Sequence, residues 1–450
     1  MRHDAGAHRW GRAVKLPVAI LGNGAAAAEA IIALRQNGFE HDLHVFADND
    51  HAPYNPMLGT YLVSGAISLE QAFPFGDRRV FYEANKVTTH LNEAVVDLDA
   101  EMQTFTTATG ETHSYERCLV ATGASPAIPP VVGLREALAE IPGALRQRVF
   151  TIQTLTQVLR LTQAVEVLLA EATGACRAAV IGASFAGIKI ASVLREMGMD
   201  IILVEREPSI LPLSAHPECA RILERHLLEE GYELRLGAAL SSVAPHSSGV
   251  RLDFGALPGA ADPGGAGGTG CEDNEARQEV DLVVLCTGTR PSLGFLKPGQ
   301  LDTGTGILVD EELRSSVSTL YAAGDVAQGK NLMTGRHEII GLWASARNQG
   351  RAAGRSIAGV PTGYRGSVPN NITHVGRLLF AGIGCLREYD RIETSRTGAT
   401  FRLRAWQEGR LVGVNYINGC LDVGVTKQAL VGAATGATAD TEATWTNFSA

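Results

Sequence analysis

One pattern occurs twice in these 450 residues and limits the fold more than any other: an apolar strand running into a glycine turn, a helix, a second strand and a terminal acid. The first copy is LPVAILGNGAAAAEA, beginning at Leu16. Gly22 makes the tight turn, Gly24 lets the backbone approach a pyrophosphate, and the small Ala27 lets the helix pack closely on the strand. The helix N-terminus then presents free N–H groups to the phosphates. Gly38 ends the helix, residues 43–47 form the next strand, and Asp48 stands where an acid accepts hydrogen bonds from an adenosine ribose. The second copy is AAVIGASFAGIKIASVLRE from Ala178, followed by Gly198 and by DIILVE, which ends at Glu205. Gly182 and Gly187 hold the outer places, and Ser184 replaces the middle glycine with another small residue. Glu205 favours a free ribose hydroxyl over a phosphate, hence NADH over NADPH, and Arg206 beside it moderates that preference. Either copy alone also suits a doubly wound domain without nucleotide. Two in one chain point to two Rossmann-like dinucleotide-binding domains, an α/β architecture.

A chain of 450 residues exceeds one hydrophobic core and divides into about three domains. The net charge of −9 and its mixed distribution give no reason to expect nucleic-acid binding. The seven cysteines, at 118, 176, 219, 271, 286, 385 and 420, include no pair at metal-ligand or redox spacing. That argues against a zinc site and a secreted disulfide framework and for a reducing cytoplasm. Arg2, Arg9, Arg12 and Lys15 before the apolar run 16–21 imitate a secretory signal, but the glycines and Glu29 that follow favour a buried first strand. No apolar stretch is long enough for a membrane helix.

Three further segments lie between and after the two units: LVATGASP (119–126), LCTGTRP (285–291) and LYAAGDVA (320–327). With the two glycine turns they form five ordered motifs over residues 16–360 that resemble the FAD and NAD(P)H-dependent pyridine nucleotide-disulfide oxidoreductase superfamily. The resemblance implies that Asp325 holds the flavin ribityl chain, that Thr122 and Gly123 mark a crossover beside FAD, and that Gly288 marks one beside NAD. It places the backbone of Val95 at the adenine. It also implies a domain order: an extension at 1–15, an FAD-binding domain at 16–145 and 296–363, an NAD-binding domain at 146–295 between its halves, and a C-terminal α+β interface domain at 364–450. A homodimer through that last domain is open. Within the insert, residues 247–279 are glycine-rich and read as a flexible hairpin loop. Residues 401–406 and 411–416, around Glu408 and Gly409, read as a β-hairpin.

Disulfide reductases of this superfamily carry two cysteines on the helix after the first acid, and other branches keep one. The matching stretch, PYNPMLGTYLVSG (53–65), has none. Electrons must then leave FAD directly, as in the ferredoxin, rubredoxin and putidaredoxin reductases, the flavin part of nitrite reductase, and the electron-transfer subunits of oxo-acid oxidoreductases. The expected function is an FAD-dependent NADH:acceptor oxidoreductase, its partner a ferredoxin, a rubredoxin or a larger oxidoreductase subunit. A hydrogen peroxide-forming NADH oxidase and a redox-responsive interaction protein are the alternatives. By the resemblance Lys189 stands where a glutamate usually faces the nicotinamide and flavin, Tyr61 where its lysine partner usually stands, and Trp343 near the flavin ring.

Overall fold

The computed structural model describes residues 15–139, 145–247, 249–255, 277–361, 363–420 and 423–435. The first fourteen residues of the extension and residues 256–276 of the glycine-rich stretch lie outside them. The apolar run after Lys15 is a central strand, Lys15–Leu21, hydrogen-bonded in parallel to Leu43–Ala47 on one side and Thr112–Val120 on the other. Val87–Leu91 extends the sheet beyond Leu43–Ala47, and Leu320–Ala322, two hundred residues later, joins it in parallel beside Thr112–Val120. The antiparallel strands Thr104–Thr107 and Val95–Asp99 complete it. Val18, Ala19, Ile20 and Leu21 are fully buried, because a parallel strand covered on both faces needs an unbroken apolar run.

The second sheet is wholly parallel, in the order Glu233–Leu236, Asp200–Glu205, Arg177–Ile181, Leu282–Leu285 and Val149–Thr151. Its two crossings to the first sheet pair with each other: Ala124–Pro126 runs antiparallel to Thr289–Pro291. Each crossing follows a glycine with positive φ, Gly123 and Gly288. Such a ribbon fixes how the two nucleotide-binding units meet.

The expected loop at 247–279 is narrower than its composition implied. Gly249–Gly255 and Arg277–Val280 are strands in an antiparallel sheet with Ala239–His246. Val250, Leu252 and Val280 are buried there, and this alternating apolar set carries the strands into a stretch that glycine content marked as loop. The hairpin at the C-terminus forms as Thr400–Gln407 against Arg410–Ile417. Its turn is Glu408 and Gly409, both at positive φ, the pair of left-handed residues that a two-residue hairpin turn requires. With Asn370–Val375, Leu378–Gly384 and Arg391–Thr397 it makes a five-stranded antiparallel sheet, and Phe380, Leu403 and Ile417 on one face join the hydrophobic core of the second sheet.

The helix Trp343–Ile357 closes the first domain by packing on the helix Ala25–Gln36 that follows the first glycine turn. A Cβ added at Gly350 would sit 2.1 Å from the Ala26 carbonyl oxygen, and one at Gly354 2.4 Å from that of Ala30. Only glycines allow this approach. The close seam also carries a charge: buried Glu29 accepts from Arg347 Nε at 2.6 Å and from Arg351 Nη2 at 2.9 Å. A buried carboxylate is tolerable because two guanidiniums satisfy it.

Candidate functional site

Both glycine turns open into one cleft of ≈ 1820 Å³ at the carboxyl ends of the parallel strands of both sheets. A single small-molecule pocket is usually about 300–1,000 Å³, so the volume suits two dinucleotides. The turns share one constraint. Gly22 has a φ of 110° and a Cβ there would lie 2.2 Å from the Ala121 carbonyl oxygen; Gly182 has a φ of 106° and a Cβ would lie 2.3 Å from that of Cys286. Gly187 is equally fixed, since its Cβ would meet the Gly182 carbonyl at 1.8 Å.

In the first unit, the space where Gly24 would carry a side chain holds no atom within 4 Å. An open cradle at the N-cap of Ala25–Gln36 is what a pyrophosphate needs. Asp48 is exposed at the strand end and accepts from Asn49 Nδ2 at 3.2 Å. Val95 and Thr122 line the same wall, and Thr122 Oγ1 donates to the Ser292 carbonyl at 3.1 Å across the crossover. Ala27 does not reach the cleft; it is buried in the helix–sheet seam, where its small size matters. Asp325 lines the cleft, as do Gly324, Gly341 and Trp343. Its carboxyl has no hydrogen-bond donor among the described residues, and burial alone pushes its pKa up to about 6. A half-buried acceptor without a donor, on the cleft wall, suits a ligand's hydroxyls. These features fit FAD.

In the second unit, the Glu205 carboxylate is held by two backbone donors, Ala183 N at 2.7 Å and Glu207 N at 3.0 Å. It therefore stands fixed at the mouth of the glycine turn, where it suits a ribose diol and repels a ribose phosphate. Arg206 is exposed and pairs with Glu207 at 3.2 Å. Ser184, the N-cap of Phe185–Glu196, and Gly288 also line the cleft.

The three residues expected near the reacting rings divide. Lys189 and Trp343 line the cleft; Tyr61 does not, and is 42 % exposed. Lys189 and Tyr61 nevertheless meet, with the ammonium 4.1 Å from the ring centroid and donating to the Met57 carbonyl at 3.2 Å. Trp343 is backed by Arg347, whose guanidinium carbon lies 4.6 Å from its ring centroid. Arg347 is the residue bound to Glu29, so the helix seam and the cleft wall are mechanically joined.

Sequence reasoning missed Asn23, which donates to the His51 carbonyl at 2.6 Å and accepts from the Tyr82 hydroxyl, bracing the first turn. It also missed Asn371, Ile372 and Thr373, which bring the C-terminal sheet into the cleft wall. Of the cysteines, Cys286 alone lines the cleft among the described residues, and burial pushes its thiol up to about 12. It is not a ready thiolate. The six described cysteines are all free.

A cleft with a flavin-suited half and a nicotinamide-suited half, joined by a crossover ribbon, defines an FAD-dependent NAD(P)H oxidoreductase. The chain belongs to the pyridine nucleotide-disulphide oxidoreductase family, whose model matches residues 16–350. It is 29% identical over 419 residues to the epsilon subunit of NADH-dependent phenylglyoxylate dehydrogenase of Aromatoleum evansii, covering 92% of this chain and 90% of that one. It is 24% identical over 407 residues to rubredoxin-NAD(+) reductase of Pseudomonas putida, covering 90% of this chain and 96% of that one. The putidaredoxin reductase of a covalent putidaredoxin reductase–putidaredoxin complex shares the fold, with a TM-score of 0.78 at 20% identity and coverage of 94% of both chains. No helix among the described residues is long and apolar enough to cross a membrane.

The state of Asp325 gives a testable sign. Its pKa of about 6 lies above the roughly 3.9 of an unfolded aspartate, so the folded cofactor-free protein holds its proton more tightly. Stability is then highest below about pH 4 and falls as pH rises towards 6, by up to about 3 kcal/mol for this group. Asp325→Asn should stabilise the flavin-free protein at pH 7 in urea unfolding and flatten that dependence, while FAD dissociates more readily in ultrafiltration. A variant that is less stable without flavin, or that holds FAD as tightly, would contradict the assignment.

Proposed function

We propose that the chain takes electrons from NADH into FAD and passes them to a protein acceptor, a ferredoxin, a rubredoxin or a larger oxidoreductase subunit, with no thiol on the path. The observation that carries this reading is the segment Pro56–Leu58 and Gly59–Val63, which lines the cleft through Pro56, Met57 and Thr60. That segment approaches the second unit at Lys189 and contains no cysteine. FAD, when bound, supplies the conversion of two-electron to one-electron transfer. The chain supplies the rest. The Gly22 turn and Asp325 hold the flavin nucleotide, and Glu205 selects and orients NADH. Lys189 places a positive charge at the seam between the two sites. Val95, Thr122 and Gly123 shape the flavin half, while Ser184, Gly187 and Gly288 shape the nicotinamide half. The relatives that act with rubredoxin or as subunits of a dehydrogenase support a protein acceptor, and the free cysteines suit a reducing cytoplasm.

The acceptor is decided by reoxidation. After anaerobic reduction with NADH, rapid mixing with a ferredoxin or rubredoxin should restore the flavin absorbance much faster than mixing with air-saturated buffer. Fast reoxidation by air with stoichiometric peroxide, and none by the iron–sulfur protein or rubredoxin, would make the protein an oxidase instead.

For Lys189, the Met57 carbonyl and the Tyr61 ring hold the ammonium, and no carboxylate among the described residues pairs with it. Its charge is therefore free to favour added electrons nearby. Lys189→Met should lower the midpoint potential of the bound flavin and slow its reduction by NADH at least several-fold, with NADH affinity little changed. An unshifted potential with an unchanged rate would return Lys189 to a purely structural tether between the two units.

A further inference from the structure

Just outside the cleft lining, on the far side of Phe46, the structure gathers histidines and acids from separate strands. The strand Val87–Leu91 carries His90, and Glu93 stands just beyond its end. The strand Thr112–Val120 carries His113, and Glu111 immediately precedes it. One ligand atom each from Glu93, Glu111 and His113 lies within 4.8 Å of the others. The Nε2 of His113 is buried, has no hydrogen-bond partner among the described residues, and is 3.7 Å from the Glu111 carboxylate.

The surroundings position these groups. Phe46 stacks on His90 at 4.1 Å and lies 4.9 Å from the His113 ring, so one aromatic side chain packs against both imidazoles. His90 Nε2 is 3.2 Å from His44 Nδ1, a contact in which one imidazole must donate and the other accept. The other nitrogen of His90 faces Glu93 at 3.7 Å. Glu93 also accepts from Thr109 Oγ1 at 3.3 Å. Among the described residues no lysine or arginine pairs with Glu93 or Glu111.

Two carboxylates therefore converge on a buried imidazole nitrogen with no cation to balance them. We propose that Glu93, Glu111 and His113 bind one divalent transition-metal ion of the zinc class, with water completing the coordination on the exposed Glu111 side. An imidazole nitrogen with two carboxylates suits zinc and not calcium or magnesium, which take oxygen ligands. Zinc bonds of about 2.0–2.2 Å require the three atoms to draw closer, and Glu111, whose side chain is 70% exposed, is free to move. The fixed His90 and the Thr109 hydroxyl would orient Glu93 from behind, as outer partners commonly orient metal-binding groups.

The ion would act as a pin. It joins the end of the Val87–Leu91 strand to the start of Thr112–Val120, two strands separated in the sheet by Leu43–Ala47 and Lys15–Leu21. Binding to the folded form alone stabilises that form by mass action. The pin stands whether or not the nearby cleft holds FAD.

The test uses the full-length yellow protein, stripped of metal with a chelator, dialysed, and titrated with zinc chloride by calorimetry. Wild type should bind one zinc per chain with micromolar or tighter affinity and unfold at a higher temperature when zinc is present. Millimolar magnesium should not compete. Glu111→Gln, a surface change that leaves the fold intact, and Glu93→Gln should each weaken binding at least tenfold and abolish the thermal shift, with flavin content and circular dichroism unchanged. Absence of binding to wild type would overturn the proposal. So would zinc that binds both variants as tightly as wild type, because the ion would then sit on other histidines or cysteines.

Discussion

The structure depends on a contact between backbones. In each nucleotide-binding unit the first turn glycine lies against a carbonyl at the end of the neighbouring strand, Gly22 against Ala121 and Gly182 against Cys286. No side chain fits in either gap, and the positive φ excludes one again. Because the turn is pressed onto that strand end, the helix N-terminus opens at the carboxyl edge of the sheet, where oriented N–H groups can receive a phosphate. The chain leaves the same strand ends through Thr122–Gly123 and Thr287–Gly288, and its two exits pair as Ala124–Pro126 with Thr289–Pro291. One steric constraint, used twice, thus sets both sites and the ribbon between them.

Two carboxylates show how the fold separates support from function. Glu29 is buried and satisfied by Arg347 and Arg351, and the arrangement ties the helix Trp343–Ile357 to Ala25–Gln36. Asp325 is half-buried and has no donor among the described residues, so burial penalises its charge. The first stabilises the folded chain and the second costs it stability, a division expected when binding groups are set in place before their ligand. Arg347 joins the seam to the cleft wall: it pairs with Glu29 on one side and stacks on Trp343 on the other.

Much of this was legible in the sequence where its cause is local. Gly22, Gly182 and Gly187 reveal themselves because turn, helix and strand are contiguous, and Asp48 and Glu205 stand just past and at the end of the next strand. Asp325 was legible only by family resemblance, since its motif by itself is a strand end. The pairing of Glu29 with Arg347 and Arg351 spans more than 300 residues and leaves no periodic trace. The spacing of Gly350 and Gly354 on one helix face was the available sign that another helix approaches there. The edge strand Asn370–Val375 reaches the cleft through docking of the C-terminal sheet, which no local pattern encodes. At 247–279 the glycine content concealed the alternation of Val250 and Leu252, and the loop was drawn too wide.

If two electrons enter one flavin and no thiol stores more, the chain takes up one NADH per FAD. Anaerobic titration of the FAD-loaded protein with NADH, followed at the flavin absorbance, measures this capacity. Complete bleaching is expected at one NADH per FAD, with any further NADH accumulating unoxidised. Consumption of two NADH per FAD would reveal a second two-electron site in the chain, which a redox-active disulfide would provide, and would contradict a thiol-free path.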